Sequence, residues 1–299
     1  MVLKKILAIN HPEVPGISVT EIQRFIMKYY LLLGTLCWIV NAFLLNGQVQ
    51  PYRLVWADEF NVDGRPDTAN WVYETGFVRN EEDQWYQEEN AWCEGGTLII
   101  EARQETQPNP WYRPDNDHWA IKRPNYHYTS ACLKTRGKHD WQFGRFEMRA
   151  RIDTRPGMWP AFWTLGTQGE WPSGGECDIM EYFRGMLLAN FAWGSDKRYA
   201  PIWDDSRLPI DSLGEGWSEE FHIWRLDWDV DSMKIYVDDR LLNEVDLSNT
   251  TNLGDRKNPF HQPHYILLNL AIGGTNGGDP SNTVFPARYV IDYVRVYEK

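Results

Sequence analysis

The chain has 299 residues, of which 42% are apolar and 24% charged, and a formal net charge of −12. That composition excludes wholesale disorder and a collagen or coiled-coil rod, and so acidic a field repels polyanions, which excludes general nucleic-acid binding. Aromatic residues make up 14%, including 16 Trp. An indole N–H is costly to bury without a partner, so this abundance predicts aromatic platforms on a concave surface as well as a Trp-rich core.

In chain order, the first element is an apolar run from Leu31 to Leu45, preceded by Met27-Lys28 and followed by Asn46-Gly47-Gln48. A short positive region, an apolar stretch and a small residue at its end describe a secretory signal peptide. The run is shorter than the ~20 residues a membrane-spanning helix needs. Residues 1–47 thus read as an N-terminal extension and signal, with the signal at 27–47. The start is placed at Met27, since Pro12, Glu13, Pro15 and Glu21 suit no signal sequence. The alternative is an uncleaved anchor. Residues 48–299 read as one domain, a monomer that is secreted, periplasmic or at the cell surface, with no stable membrane span after cleavage. This domain keeps Cys93, Cys132 and Cys177, an odd number without CxxC spacing, which disfavours zinc and thioredoxin chemistry. A Cys93–Cys132 disulfide stays open.

Segment 104–128 contains Pro108, Pro110, Pro114 and Pro124 and shows no periodicity, which predicts a long functional loop. Arg145–Ile152, Met233–Val237 and Tyr289–Tyr297 alternate polar and apolar residues, the mark of half-buried strands. Asp238-Asp239-Arg240 and Gly273-Gly274 are turn chemistry. Many short strands with no long helical period predict an all-β sandwich or barrel. His127, His139 and His222 share no ligand spacing and read as ordinary polar residues.

The sharpest signal is Gly174-Gly175-Glu176-Cys177-Asp178-Ile179-Met180-Glu181-Tyr182-Phe183. On a regular strand Glu176 and Asp178 share a face, and Glu181 falls on the other. A β-bulge near Ile179-Met180 resets the phase and brings all three carboxylates together. Retaining glycoside hydrolysis requires two carboxyl groups about 5–5.5 Å apart, one to attack the anomeric carbon and one to protonate the leaving oxygen. Crowded carboxylates cannot all ionise cheaply, so at least one pKa must rise. The alternative is a merely solvated acidic face or a cation site. The flanking Gly157-Met158-Trp159-Pro160-Ala161-Phe162-Trp163 and Glu170-Trp171-Pro172 supply indole faces suited to sugar rings.

At these residues the sequence resembles glycoside hydrolase family 16, whose bulged Glu-x-Asp-x-x-Glu signature is met by Glu176, Asp178 and Glu181. Trp56–Phe60, Asn80–Tyr86, Thr129–Thr135, Gly144–Ala150, Leu267–Gly274 and Asp292–Tyr297 fit further blocks in order, over roughly residues 52–299. The resemblance implies a β-jelly-roll sandwich of two curved antiparallel sheets with a concave substrate cleft. It implies endo-acting, retaining hydrolysis of a β-linked polysaccharide of β-1,3- or β-1,3/1,4-glucan type. By position, Glu176 is the nucleophile, Glu181 the acid/base and Asp178 the helper. Trp159 and Trp163 match cleft tryptophans, while Asn80 and Arg149 match polar groups near the subsites. No cofactor is required, although some members hold a structural Ca²⁺ with Asp292 at a ligand position; the alternative for Asp292 is a surface acid ending a strand. Three departures bear on the substrate: Ala192 replaces a His, with Trp193 beside it as an added aromatic wall; His261 stands where an acid is common; and the 104–128 loop is long. They keep open an endo-β-galactanase acting on algal galactan or host O-glycan and keratan-type chains, a transglycosylase, and a non-catalytic carbohydrate-binding jelly roll.

Overall fold

The computed structural model describes residues 52–299. The signal expected at 27–47 and the boundary expected at residue 47 lie outside the described residues. The strands are β1 (Arg53–Asp58), β2 (Val72–Tyr73), β3 (Gln84–Tyr86), β4 (Ala91–Glu94), β5 (Thr97–Pro108) and β6 (Asn125–Ser130). They continue as β7 (Cys132–Lys134), β8 (Gly144–Arg151), β9 (Met158–Gly166), β10 (Glu176–Phe183), β11 (Met186–Gly194) and β12 (Pro201–Pro209). The last are β13 (His222–Trp228), β14 (Ser232–Val237), β15 (Arg240–Asp246), β16 (His264–Ile272) and β17 (Ala287–Glu298). The predicted strands at 145–152, 233–237 and 289–297 are β8, β14 and β17. The Gly273-Gly274 turn opens a single helical turn, Gly274–Gly277.

Two sheets form. A ten-stranded sheet runs β15-β14-β13-β8-β17-β5-β6-β3, with β1 on β17 and β4 on β5; a seven-stranded sheet runs β12-β11-β10-β9-β16-β7-β2. Neighbours pair antiparallel, except that β3 and β6 are parallel. This is the two-sheet all-β sandwich expected of the jelly roll. Phe146, Met148, Leu226, Ile291 and Val294 of the larger sheet close on Cys177, Ile179, Phe191, Leu268 and Ile272 of the smaller one. Trp224 and Trp228 are completely enclosed in this core, so part of the Trp abundance is core packing.

Two sequence expectations change. The 104–128 loop shrinks to 109–124, because β5 runs on to Pro108 and β6 begins at Asn125, paired through Gln104↔Tyr128 and Gln107↔Tyr126. This hairpin stands largely in solvent on both faces, so its strands never acquired the hydrophobic alternation that betrays the others. The Cys93–Cys132 disulfide does not form; Cys93, Cys132 and Cys177 are buried free thiols on three different strands.

Candidate active site

The site is built on β10. Cys177, Ile179 and Met180 all enter the core, whereas Glu176, Asp178 and Glu181 do not. Two consecutive core residues are the bulge. Against β11 the register runs Glu176↔Ala192 and Asp178↔Asn190, then slips to Glu181↔Leu188. Against β9 it runs Asp178↔Trp163 and then Met180↔Phe162, Glu181↔Ala161. The extra residue resets the alternation and turns all three carboxylates away from the core. Asn190 Nδ2 donates to both Asp178 Oδ2 and Glu181 Oε2, each at 3.2 Å, so one amide holds two of the acids side by side.

Each outer glutamate receives an indole. Trp171 Nε1 donates to Glu176 Oε2 at 2.8 Å, and Trp159 Nε1 donates to Glu181 Oε1 at 2.7 Å. Although this face points away from the core, Asp178, Asn190, Asn269, Trp159 and Trp163 are all buried. The face is therefore a hollow, not a flat surface.

Burial sets the electrostatics. Loss of solvent pushes Glu176 up to about 7, aided by repulsion from Glu181 and opposed by the Trp171 N–H and the Arg79 charge. Loss of solvent likewise pushes Glu181 up to about 7, against the pull of Trp159, Arg207 and Asn190. Asp178 is raised well above its ordinary value by burial and by both glutamates. The cluster therefore retains protons at neutral pH, as crowded carboxyls in a hollow must.

Beyond β9 the floor is Trp163, Tyr86, Cys132, Tyr265 and Leu267. The Arg79 guanidinium lies 5.2 Å from the centre of the Trp163 ring and is anchored by Glu74, which also takes Lys134. One Trp163 face is thus occupied by Arg79, and its Nε1 donates to Asn269 Oδ1 at 2.7 Å. Asn80 Nδ2 reaches Glu82 Oε1 at 3.4 Å, and Glu82 Oε2 takes Gln84 Nε2 at 2.6 Å. This 80–84 segment walls the hollow on the Arg79 side.

Of the residues singled out from sequence, Glu176, Asp178, Glu181, Trp159 and Trp163 share the hollow, and Asn80 stands at its wall. Four do not belong there. Arg149 projects from the outward face of β8, where Phe146, Met148 and Ala150 take the core side; it pairs with Asp292 at 2.6 Å and lies over Phe221. Trp193 points into the core with Phe191, because the register that turns Ala192 toward Glu176 turns its neighbour away. His261 Nε2 donates to the Val230 carbonyl at 3.0 Å and its ring meets Phe143, which holds it against connections of the larger sheet. Asp292 lies on β17 of the larger sheet, where its carboxylate accepts from Arg149 Nη1 at 2.6 Å.

Sequence reasoning missed Asn190, Trp171 and Arg79 as parts of the site. Asn190 was recoverable: Arg184-Gly185, both at positive φ, form a two-residue hairpin turn, and counting back from Phe183↔Met186 through one bulge sets Asn190 opposite Asp178. Trp171 stood in a quoted motif, but nothing local says that it folds back five residues onto Glu176. Arg79 carries no local signal.

The chain matches the family described as Glycosyl hydrolases family 16 over residues 100–295. It is 36% identical over 269 residues to a beta-glucanase of Rhodothermus marinus, covering 82% of this chain and 85% of the relative. A laminarinase structure from the same organism superposes with a TM-score of 0.68 at 34% identity, covering 84% of this chain and 99% of the other. A structure from work on endo-acting O-glycanases, with which prominent human gut bacteria initiate mucin breakdown, superposes with a TM-score of 0.76 at 33% identity, covering 84% and 92%. With two β-sheets, a bulged acidic strand and matches of this length, the chain belongs to glycosyl hydrolase family 16 and is a glycoside hydrolase.

Proposed function

We propose that the chain is an endo-acting, retaining β-glycanase that cleaves internal β-1,3 or mixed β-1,3/1,4 linkages of a glucan, working outside the cytoplasm as a monomer. One observation carries the reading. The bulge in β10 presents Glu176 and Glu181 to the same hollow, both raised to about 7 and each held by an indole N–H. Two coupled groups of this kind lose their protons one after the other, so near neutral pH one is a carboxylate while the other is an acid.

In the first step the Glu176 carboxylate attacks the anomeric carbon. The glycosidic C–O bond breaks, and the Glu181 proton passes to the leaving oxygen. In the second step Glu181, now a carboxylate, takes a proton from water. The water oxygen attacks the same carbon, and the Glu176 ester bond breaks. Two inversions return the starting configuration. Asp178, whose charged form burial and both glutamates disfavour, shares the Asn190 amide with Glu181 and fixes its place beside it.

The glucan assignment is supported by the similarity to the Rhodothermus marinus beta-glucanase and laminarinase. A second reading, a galactose-containing β-glycan of the mucin O-glycan or keratan type, rests on the similarity to the O-glycanase structure. The test is incubation with laminarin, mixed-linkage glucan, agarose, porphyran, carrageenan, keratan-type glycan and mucin O-glycans, scored by new reducing ends. Oligosaccharides of intermediate length from laminarin or mixed-linkage glucan are expected; cleavage confined to galactose-containing chains would replace the glucan by the second reading. Glu176→Gln should lower turnover by more than about 10³-fold with the melting transition retained, and an active variant would refute the nucleophile.

A further inference from the structure

The edge strand β12 carries an indole that the two-carboxylate chemistry does not use. Its register against β11 is continuous: Ala192↔Trp203, Asn190↔Asp205 and Leu188↔Arg207. Because β11 in turn pairs Ala192 with Glu176, Asn190 with Asp178 and Leu188 with Glu181, three rungs cross the sheet. They are Glu176–Ala192–Trp203, Asp178–Asn190–Asp205 and Glu181–Leu188–Arg207. Residues directly opposite in neighbouring strands share a face, so Trp203, Asp205 and Arg207 extend the carboxylate face outward. The intervening residues agree: Ile202 and Leu208 pack on the core, and Asp204 Oδ1 accepts from Asn243 of β15 in the other sheet.

A singly exposed large apolar side chain is ordinary, but the position of this one is not. Trp203 is 43% exposed on the rung of the proposed nucleophile. Two inter-strand spacings, about 10 Å, separate it from the Glu176 strand, further than a single sugar ring reaches. Next to it Arg207 donates to Asp205 at 3.0 Å, and both present polar atoms to solvent. An indole face flanked by a guanidinium and a carboxylate is suited to an apolar sugar face edged with hydroxyls. The Arg79 side of the hollow is different in kind, since there one indole face is already occupied.

We propose that Trp203, with Asp205 and Arg207 beside it, is the outlying platform on which the glycan chain rests after crossing β11, so that this edge of the sheet selects for longer substrates. The proposal rests on the endo-glycanase reading above, and its occupant is the same glycan chain that occupies the hollow. The experiment uses the polymer that the wild-type enzyme cleaves in the panel above, laminarin on the leading reading, together with its oligosaccharides of increasing length. The ratio of kcat/KM on the longest to that on the shortest cleaved oligosaccharide should fall about tenfold in Trp203→Ala, the size of one lost aromatic contact. Trp203→Leu, which keeps the apolar bulk without the flat ring, should fall equally, and Trp203→Tyr should recover most of the loss. An unchanged ratio in both the Ala and Leu variants, with wild-type enzyme active, would overturn the platform and leave the glycanase standing. A wild-type enzyme inert on every glycan in the panel would overturn the glycanase reading, and the platform with it.

Discussion

Glu176 and Glu181 reach the same range by the same cause, loss of solvent, yet they are held by different donors. Glu176 has the Trp171 indole and Glu181 has Trp159 and Asn190. A hydrogen bond to a carboxylate favours its charged form and lowers its pKa. Trp171→Phe removes one such bond, so the Glu176 pKa should climb. The acidic limb of the kcat/KM profile, which requires ionised Glu176, should then move to higher pH by roughly half to one unit, with the alkaline limb in place. A pH–rate profile checks this, and an unmoved acidic limb counts against the bond. At this scale the sequence was legible where spacing alone decides. Three acids with one residue too many between the last two imply a bulge, and β10 has it. It was illegible where a side chain finds its partner through the fold, as Trp171 and Arg79 do. Trp193 failed for a simpler reason: beside an aligned Ala192 it looked like a cleft wall, but adjacent strand residues face opposite ways, and the rung belongs to Ala192.

Elements place these residues through register. The Arg184-Gly185 turn sets β10 on β11, and the bulge then shifts everything upstream by one residue. The wall of the hollow depends on a different element, the 109–124 loop. From it Arg123 donates to the backbone carbonyls of Glu82 at 3.0 Å and Glu81 at 3.1 Å, pairs with Asp83 at 3.4 Å, and lies over Phe77 and Trp119. Both bonded carbonyls belong to the segment that carries Asn80 and Glu82. Arg123→Ala should loosen that wall without touching the carboxylates, raising KM several-fold, on the order of one lost charge-assisted hydrogen bond, with kcat within about twofold of wild type. Steady-state kinetics on the cleaved polymer check it; equal loss in kcat would place Arg123 in the chemistry instead. Alternation identified β8, β14 and β17 but was silent on which sheet each would join. Arg149 was assigned to the cleft by the family resemblance, and alternation could not correct it: β8 lies in the other sheet, with Arg149 facing outward on Asp292.

Residues 52–299 form two sheets closed on a shared core, and a titratable group inside it links stability to pH. His264 is fully enclosed, with Nε2 donating to the Pro259 carbonyl at 3.0 Å and Nδ1 paired with the Thr164 hydroxyl at 3.1 Å. Burial lowers its pKa from 6.5 to about 4, so between those values the unfolded chain binds the extra proton and the folded chain does not. Stability from this group is therefore present above pH 6.5 and is lost as pH falls toward 4, by about 2–3 kcal/mol at pH 4.5. Urea unfolding at pH 7 and pH 4.5 checks it: the loss in wild type should exceed that in His264→Gln by this amount, and equal losses would refute the linkage. The sequence by itself determined that residues 52–299 are all-β, a sandwich or a barrel, that Glu176, Asp178 and Glu181 belong together, and that a bulge is what joins them; all three follow from a period of two residues and its local interruption, and the family resemblance narrowed the first to a sandwich. Only the tertiary structure decided which indoles hold the acids, that Arg79 covers Trp163, and that Trp193, Arg149, His261 and Asp292 stand elsewhere. The physical reason lies in the central strands β11 and β16, which are buried on both faces. There alternation no longer separates core from cleft, and only pairing with neighbours assigns each residue its side.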